Sequence, residues 1–131
     1  MRRVARMAVL LIVLIVFAAA SPSPSERKAV LDALRPKVET KLGPGIEFVV
    51  QIIRVENGWA FVMADPQGKG GKAIDGHRIF DDDFENMDGL RVDAVLRKRG
   101  SRWVVADYAI GATDVWYCDV GPKTLKRGYG C

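Results

Sequence analysis

The sequence predicts an α+β domain: one N-terminal helix packed on a four-stranded antiparallel sheet. Two observations predict this fold. An apolar side chain recurs every fourth position after residue 23, which is the spacing of one helix face. Two later stretches, residues 46–65 and 90–110, each read as a pair of strands joined by a tight turn. Helix and sheet are therefore segregated along one chain, as in α+β domains.

The first 20 residues have the composition of a secretory signal peptide. Arg2, Arg3 and Arg6 precede an uncharged apolar run, which ends in three alanines. A membrane anchor is the alternative, but the run is shorter than the about 20 apolar residues that span a bilayer. We expect cleavage after Ala20, no stable membrane anchor afterwards, and one periplasmic or secreted domain over residues 21–131.

Much of the net positive charge of the chain lies in this leader. The whole chain has 20 Lys+Arg and 16 Asp+Glu, a net charge of +4. Removing three arginines and no acid leaves 17 minus 16, or +1. General nucleic-acid binding needs a basic face that displaces counterions. We therefore predict no nucleic-acid partner, and no motif predicts a cofactor.

The predicted helix has a recognisable start and end. Ser23 can cap it, Pro24 suits its first position, and Glu26 sits at its third. Pro36 removes a backbone donor, so we expect a kink or break there. The Gly-Pro-Gly of residues 43–45 ends the helix. The apolar stripe consists of Val30, Leu34, Val38 and Leu42.

Asn57-Gly58 is the turn of the first predicted hairpin, because both positions tolerate positive φ. A two-residue turn fixes the register. It predicts the pairs Glu56–Trp59, Arg54–Phe61 and Ile52–Met63 on one face, with Ile53–Val62 on the other. Both faces are then largely apolar. One can take the helix, and the other needs a cover, a ligand or a partner, so Phe61 and Met63 form a candidate binding surface.

The second hairpin shows period-2 alternation and turns at Gly100-Ser101, which suits a type II′ turn. Four cations crowd its tip: Arg97, Lys98, Arg99 and Arg102. A solvated turn that discourages edge aggregation is preferred to a binding patch.

Residues 66–89 connect the hairpins and end in an acidic stretch, residues 81–88. Asp81, Asp83 and Glu85 are weak metal-ligand candidates, because an EF-hand register starting at Asp81 lacks its glycine and its final glutamate. The preferred interpretation is a loop or short helix whose acids face water. Its anchors would be Phe80, Phe84 and Met87. His77 has no clearly arranged nucleophile around it, so no catalytic residue is assigned.

The C-terminal segment contains both cysteines, Cys118 and Cys131. In an exported protein this pair predicts a disulfide, although a free pair or an intermolecular bridge stays open. Trp116 and Tyr117 have two interpretations. Either they belong to a flap that covers the spare sheet face, or they form an aromatic binding surface.

Three stretches together resemble a family of small exported bacterial proteins without an assigned activity. They are ERKAVLDALRP, GWAFVMADPQ and VLRKRGSRWVVADYAIGATDVWY. The resemblance implies export and the predicted fold, and it carries no chemistry. The order of elements is also cystatin-like or NTF2-like in outline. The cystatin Gln-x-Val-x-Gly motif has only a partial match from Gln51, without the glycine.

Two functions remain open on this sequence. The first is a non-catalytic envelope domain that binds a protein or a cell-wall component through the sheet face or the long connection. The second is a small-molecule- or metal-dependent site, with or without enzymatic activity, within residues 66–89.

Overall fold

The structure is a computed structural model that describes residues 21–131 and, within the leader, Ile12 alone. The predicted signal peptide, residues 1–20, therefore lies outside the described residues apart from that position. Within the described part of the chain, none of the helices has both the length and the apolar character needed to cross a bilayer.

Helix α1 runs from Pro24 to Leu42. The Ser23 side chain accepts a hydrogen bond from the backbone N–H of Glu26 at 3.2 Å, so the predicted cap is confirmed. Gly43 follows the helix at φ 95°. The helix is continuous across Pro36, and the predicted break does not occur. Pro36 has no backbone N–H, so one carbonyl of the preceding turn lacks its helical donor. Pro36 is exposed, and water can donate to that carbonyl instead.

Four antiparallel strands form one sheet in the order β1-β2-β3-β4. Their bounds are β1 Glu47–Glu56, β2 Trp59–Gln67, β3 Val92–Arg99 and β4 Arg102–Ile110. Asn57 and Gly58 adopt φ 48° and 77°, as the predicted turn requires. The predicted register of the first hairpin is confirmed at all four pairs. Gly100 has φ 61° at the second turn.

The main core lies between α1 and one face of the sheet. The helix packs on β3 and β4, and the Tyr108 hydroxyl donates to the backbone carbonyl of Lys37 at 3.2 Å. Each fully buried aliphatic side chain contributes about 1.5–3 kcal/mol relative to an exposed one. The predicted stripe is buried as a whole, and its members are Val30, Leu34, Val38 and Leu42. The predicted architecture, helix on four-stranded antiparallel sheet, is confirmed.

The connection between the hairpins is folded over much of its length. Residues Gly68 and Lys72 form an isolated bridge, and the Glu47 carboxylate accepts a hydrogen bond from the N–H of Gly70 at 3.2 Å. A short helix, α2, spans Gly76–Phe80, with Asp75 as its cap. A 3₁₀ turn over Asp81–Asn86 follows it.

Candidate functional site

The second face of the sheet is covered by the C-terminal segment, residues 112–131. Phe61, Met63 and Val95 of the sheet are buried against Tyr117 and Leu125 of this segment. The Phe61 ring lies 4.9 Å from the Tyr117 ring, measured between centroids. The flap predicted as one of the two alternatives is therefore what the structure contains.

Three kinds of contact fix the C-terminal segment in place. Cys118 and Cys131 form a disulfide, so the predicted pairing is confirmed. The Tyr117 hydroxyl donates to the backbone carbonyl of Tyr129 at 2.7 Å. The Arg54 guanidinium donates to the carbonyl of Arg127, also at 2.7 Å, and so connects β1 to the segment.

This cover corrects the predicted binding surface. Phe61 is fully buried, Met63 is 7% exposed and Tyr117 is 4% exposed, while Trp116 is half-buried. The surface prediction is wrong for the first three residues, because the segment removes their side chains from solvent. The apolar face needed a cover, and the chain supplies it from its own C-terminus.

A charged pair lies on the same face of the sheet. Asp93 of β3 is fully buried, and its carboxylate accepts from the Arg91 guanidinium at 2.9 and 3.3 Å. Arg91 also donates to the exposed Asp88 at 2.9 Å. Arg91 thus bridges the acidic stretch to the sheet. The fork of an arginine matches a carboxylate in this two-bond geometry.

Burial raises the pKa of the Asp93 carboxyl, and the hydrogen bonds from Arg91 oppose that rise. The pKa of the Arg91 guanidinium is raised, chiefly because it donates to Asp93. Burial also raises the pKa of Tyr117. Lys126, buried in the C-terminal segment, has its pKa lowered by the same cause, and its ammonium donates to the carbonyl of Val120.

The acidic stretch has the solvated character that the sequence favoured. Asp81, Asp83 and Glu85 are all exposed, while Phe84 and Met87 are half-buried. Over residues 21–131, no three acids, histidines or cysteines are placed so that they could share a metal ion. The three weak metal candidates are therefore not brought together as a site.

His77 lies in α2 and is exposed. Its ring meets the Phe84 ring edge-on, with 4.7 Å between centroids. Both cysteines of the chain are bound in the disulfide, so neither is a thiol nucleophile. Within the connection, His77 makes a packing contact with Phe84.

A cleft of about 550 Å³ lies between the C-terminal end of α1 and the connection. The end of the helix region supplies Leu42 and Ile46 as buried walls. The connection adds the half-buried Ile74 and Ile79. The remaining lining residues are polar or small: Pro44, Gly68, Lys72, Ala73, Asp75 and Arg78.

The polar groups of this cleft carry a surplus of positive charge. Lys72 and Arg78 are exposed cations at its wall. Asp75 is the carboxylate among the lining residues, and it accepts a hydrogen bond from the backbone N–H of Arg78 at 3.2 Å. One cation is therefore left over beside an apolar wall. This arrangement suits a ligand that joins an apolar group to an anionic one.

The cleft residues were not identified from the sequence, although the connection itself was singled out by its length. Lys72, Ile74 and Arg78 have no spacing typical of a motif. Leu42 and Ile46 belong to a helix end and a strand start, so their meeting with the connection is set by tertiary packing. The unusual length of residues 66–89 was the available signal.

Comparisons with known proteins place no further constraint on this site: no protein family, no curated protein and no solved structure matches the chain.

Proposed function

We propose that the chain is an exported, non-catalytic binding domain of the bacterial cell envelope. The cleft between α1 and the connection would be its binding site. The observation that carries this proposal is the cleft itself, in which two exposed cations flank isoleucine side chains. The partner is a segment of an envelope protein that presents an apolar side chain next to a carboxylate.

Because the second sheet face is covered, we favour the cleft as the binding surface rather than the sheet. Phe61 and Met63 cannot reach a partner while the C-terminal segment packs on them. The cleft, in contrast, combines an apolar wall with Lys72 and Arg78 exposed to solvent. Binding sites typically pair an apolar lining with a few charged groups that orient the ligand.

Export to the periplasm or beyond is part of the proposal. A disulfide persists in oxidising compartments and is rare where thiols are kept reduced. The Cys118–Cys131 pair and the signal-like leader in the sequence support this location.

A non-catalytic role is favoured by the chemistry of the cleft. Its described lining residues include no histidine, cysteine, serine or threonine. Asp75, its carboxylate, is engaged in capping α2. Of the groups used in general acid–base or nucleophilic catalysis, the cleft otherwise offers Lys72, which is exposed at its wall.

A small-molecule site in the same cleft is the second candidate. The volume of about 550 Å³ lies inside the roughly 300–1,000 Å³ range of ligand pockets. A cell-wall fragment with a carboxylate would meet the same Lys72 and Arg78.

The test is an NMR titration of the isotope-labelled protein with two panels of probes. One panel holds short peptides with an apolar side chain beside a carboxylate, and the other holds carboxylate-bearing cell-wall fragments. We expect the amide signals of residues 42–46 and 68–79 to shift with peptides. Arg78→Glu should weaken binding at least about tenfold, because a charge-assisted hydrogen bond is lost.

Lys69→Glu is the matched control, since Lys69 is exposed in the same connection and does not line the cleft. It should bind as the parent protein does. Shifts with the cell-wall fragments alone would select the second candidate. Shifts confined to other regions, or none with either panel, would contradict a binding role for the cleft.

A further inference from the structure

Four exposed cations are grouped at one end of the molecule, at the turn between β3 and β4. We call them the basic tip: Arg97, Lys98, Arg99 and Arg102. Arg99 and Arg102 close the hairpin as its last pair. The end that contains the cleft and the acidic stretch lies at the far side of the sheet. A strand of eight residues separates the two ends by roughly 26 Å.

The basic tip also lies beside the start of α1. The Lys98 ammonium is 3.9 Å from the Glu26 carboxylate in the first turn of the helix. The backbone N–H of Lys98 donates to the carbonyl of Gly58 at 2.7 Å, which brings the first hairpin turn to the same end. The tip and the N-terminus of the described domain are therefore neighbours.

Aromatic rings lie beneath two of these cations. The Arg97 guanidinium carbon sits 5.1 Å from the Trp59 ring centre, and the Lys98 ammonium sits 5.7 Å from that of Trp103. Within residues 21–131, the tip forms one salt bridge, the 3.9 Å contact between Lys98 and Glu26. The charged heads of Arg97 and Lys98 therefore lie over aromatic rings. All four residues of the tip remain exposed to solvent.

We propose that the basic tip docks on an anionic phospholipid surface. Only residues 21–23 lie between the apolar leader and α1, and three residues span at most about 10 Å. That reach is close to the Debye length of about 8 Å at physiological ionic strength. A precursor whose leader is in the membrane therefore places the tip within electrostatic range of the headgroups.

Lipid is favoured over a soluble polyanion by this position. The four cations of the tip have no acid among residues 97–102, so they present an unbalanced positive charge to the headgroups. Each basic residue near an anionic leaflet strengthens association by roughly fivefold. Docking would orient the cleft, at the opposite end of the domain, away from the membrane.

The experiment measures co-sedimentation of the full chain with vesicles. The vesicles are phosphatidylcholine with or without phosphatidylglycerol. The tip variant carries Lys98→Gln, Arg99→Gln and Arg102→Gln, and it keeps Arg97 on Trp59. The matched control removes three exposed cations at the far end: Lys37→Gln, Lys41→Gln and Lys69→Gln. The leader is identical in all three proteins, so its own arginines cancel in the comparison.

We expect the tip variant to lose on the order of 100-fold in partitioning to anionic vesicles, and the control to lose far less. On neutral vesicles all three proteins should behave alike. Equal loss in the two triple variants would overturn the proposal, because net charge alone would then explain it. The proposal would also be overturned if the tip variant lost binding to heparin or DNA but bound vesicles as the parent protein does.

If the triple variant fails to fold, the single charge reversal Arg99→Glu tests the same proposal in the vesicle assay. Arg99 is exposed at the turn. Removing one positive and adding one negative charge should weaken anionic-vesicle binding by roughly 25-fold at low salt. A partition coefficient equal to that of the parent chain would count against the tip.

Discussion

At the scale of single residues, Asp93 shows most clearly how the fold overrides local pattern. The alternation along β3 places Asp93 with Arg91 on the face opposite the helix, where a charged side chain usually meets water. The structure instead buries Asp93 completely, on the sheet face that the C-terminal segment covers, where it pairs with Met63 across the strands. A buried charge costs stability unless it is paired, and Arg91 supplies the pair.

The raised pKa of Asp93 predicts a pH dependence of stability with a definite sign. A carboxyl whose pKa is higher in the folded state binds its proton more tightly there. Its contribution to the free energy of unfolding is fully present below the unfolded pKa, near 3.8. It is lost as pH rises through the raised folded pKa. Each unit of rise corresponds to about 1.4 kcal/mol.

We therefore expect the parent protein to lose stability relative to Asp93→Asn as pH rises from 3.8 toward neutrality. Urea denaturation of both proteins at a series of pH values measures this difference. Asp88→Asn is the control, because Asp88 is exposed and contacts the same arginine. A difference that grows in the opposite direction would show that Arg91 holds the Asp93 pKa below its ordinary value.

At the scale of elements, the connection between the hairpins is organised by a close contact between α2 and the acidic 3₁₀ turn. A Cβ built on Gly76 would lie 2.3 Å from Cε2 of Phe84. No side chain fits at that distance, so glycine is required for packing. The Phe84 ring lies against His77 as well.

Gly76→Ala should therefore destabilise the fold by about 1–3 kcal/mol, although alanine is the better helix former. Chemical denaturation measures the loss. Phe84→Leu in the same chain tests the cause, since a smaller side chain makes room for the new methyl group. The double variant should lose less than the sum of the two single variants. Strict additivity would mean that Gly76 and Phe84 do not press on each other.

The C-terminal segment is an element held by its disulfide. Cys118 and Cys131 are separated by 13 positions, and a loop of that size contributes about 3 kcal/mol on the chain-entropy view. Replacing both cysteines by serine should lower the free energy of unfolding by that amount in a denaturant melt. Reduced parent protein is the control and should match the serine variant. Equal stability of oxidised and reduced protein would show that packing alone holds the segment.

How far the sequence predicts this fold depends on the range of the interactions involved. Asn57-Gly58 and the cap at Ser23 are local, and the structure agrees with both. The cleft and the burial of Asp93 depend on segments far apart in the chain, for which no local pattern exists. Pro36 depends on both its local backbone and its surroundings. The backbone alone predicts a kink or break, but Pro36 is exposed to solvent and α1 continues through it.

At the scale of the whole molecule, charge is separated along the sheet. Residues 97–102 carry four cations and no acid at one end. Residues 66–91, at the other end, carry six acids and four cations (Lys69, Lys72, Arg78 and Arg91). The tip therefore carries +4 and residues 66–91 carry 4 minus 6, or −2. The small net charge of residues 21–131 hides this polarity.

The C-terminal segment closes the second sheet face, and for this reason we propose the cleft as the binding surface. Met63 reports on this directly because it is 7% exposed and lies under the segment. Met87 is half-buried outside it and serves as the internal reference. The measurement is the rate of peroxide oxidation at each methionine, followed by peptide mass spectrometry.

With the disulfide intact, we expect Met63 to oxidise much more slowly than Met87, and to accelerate once Cys118 and Cys131 are replaced by serine. That result would support a closed face and leave the cleft as the binding surface. Oxidation of Met63 as fast as Met87 in the intact protein would contradict the claim. The sheet face would then be open to a partner, and Phe61 and Met63 would return as the binding surface.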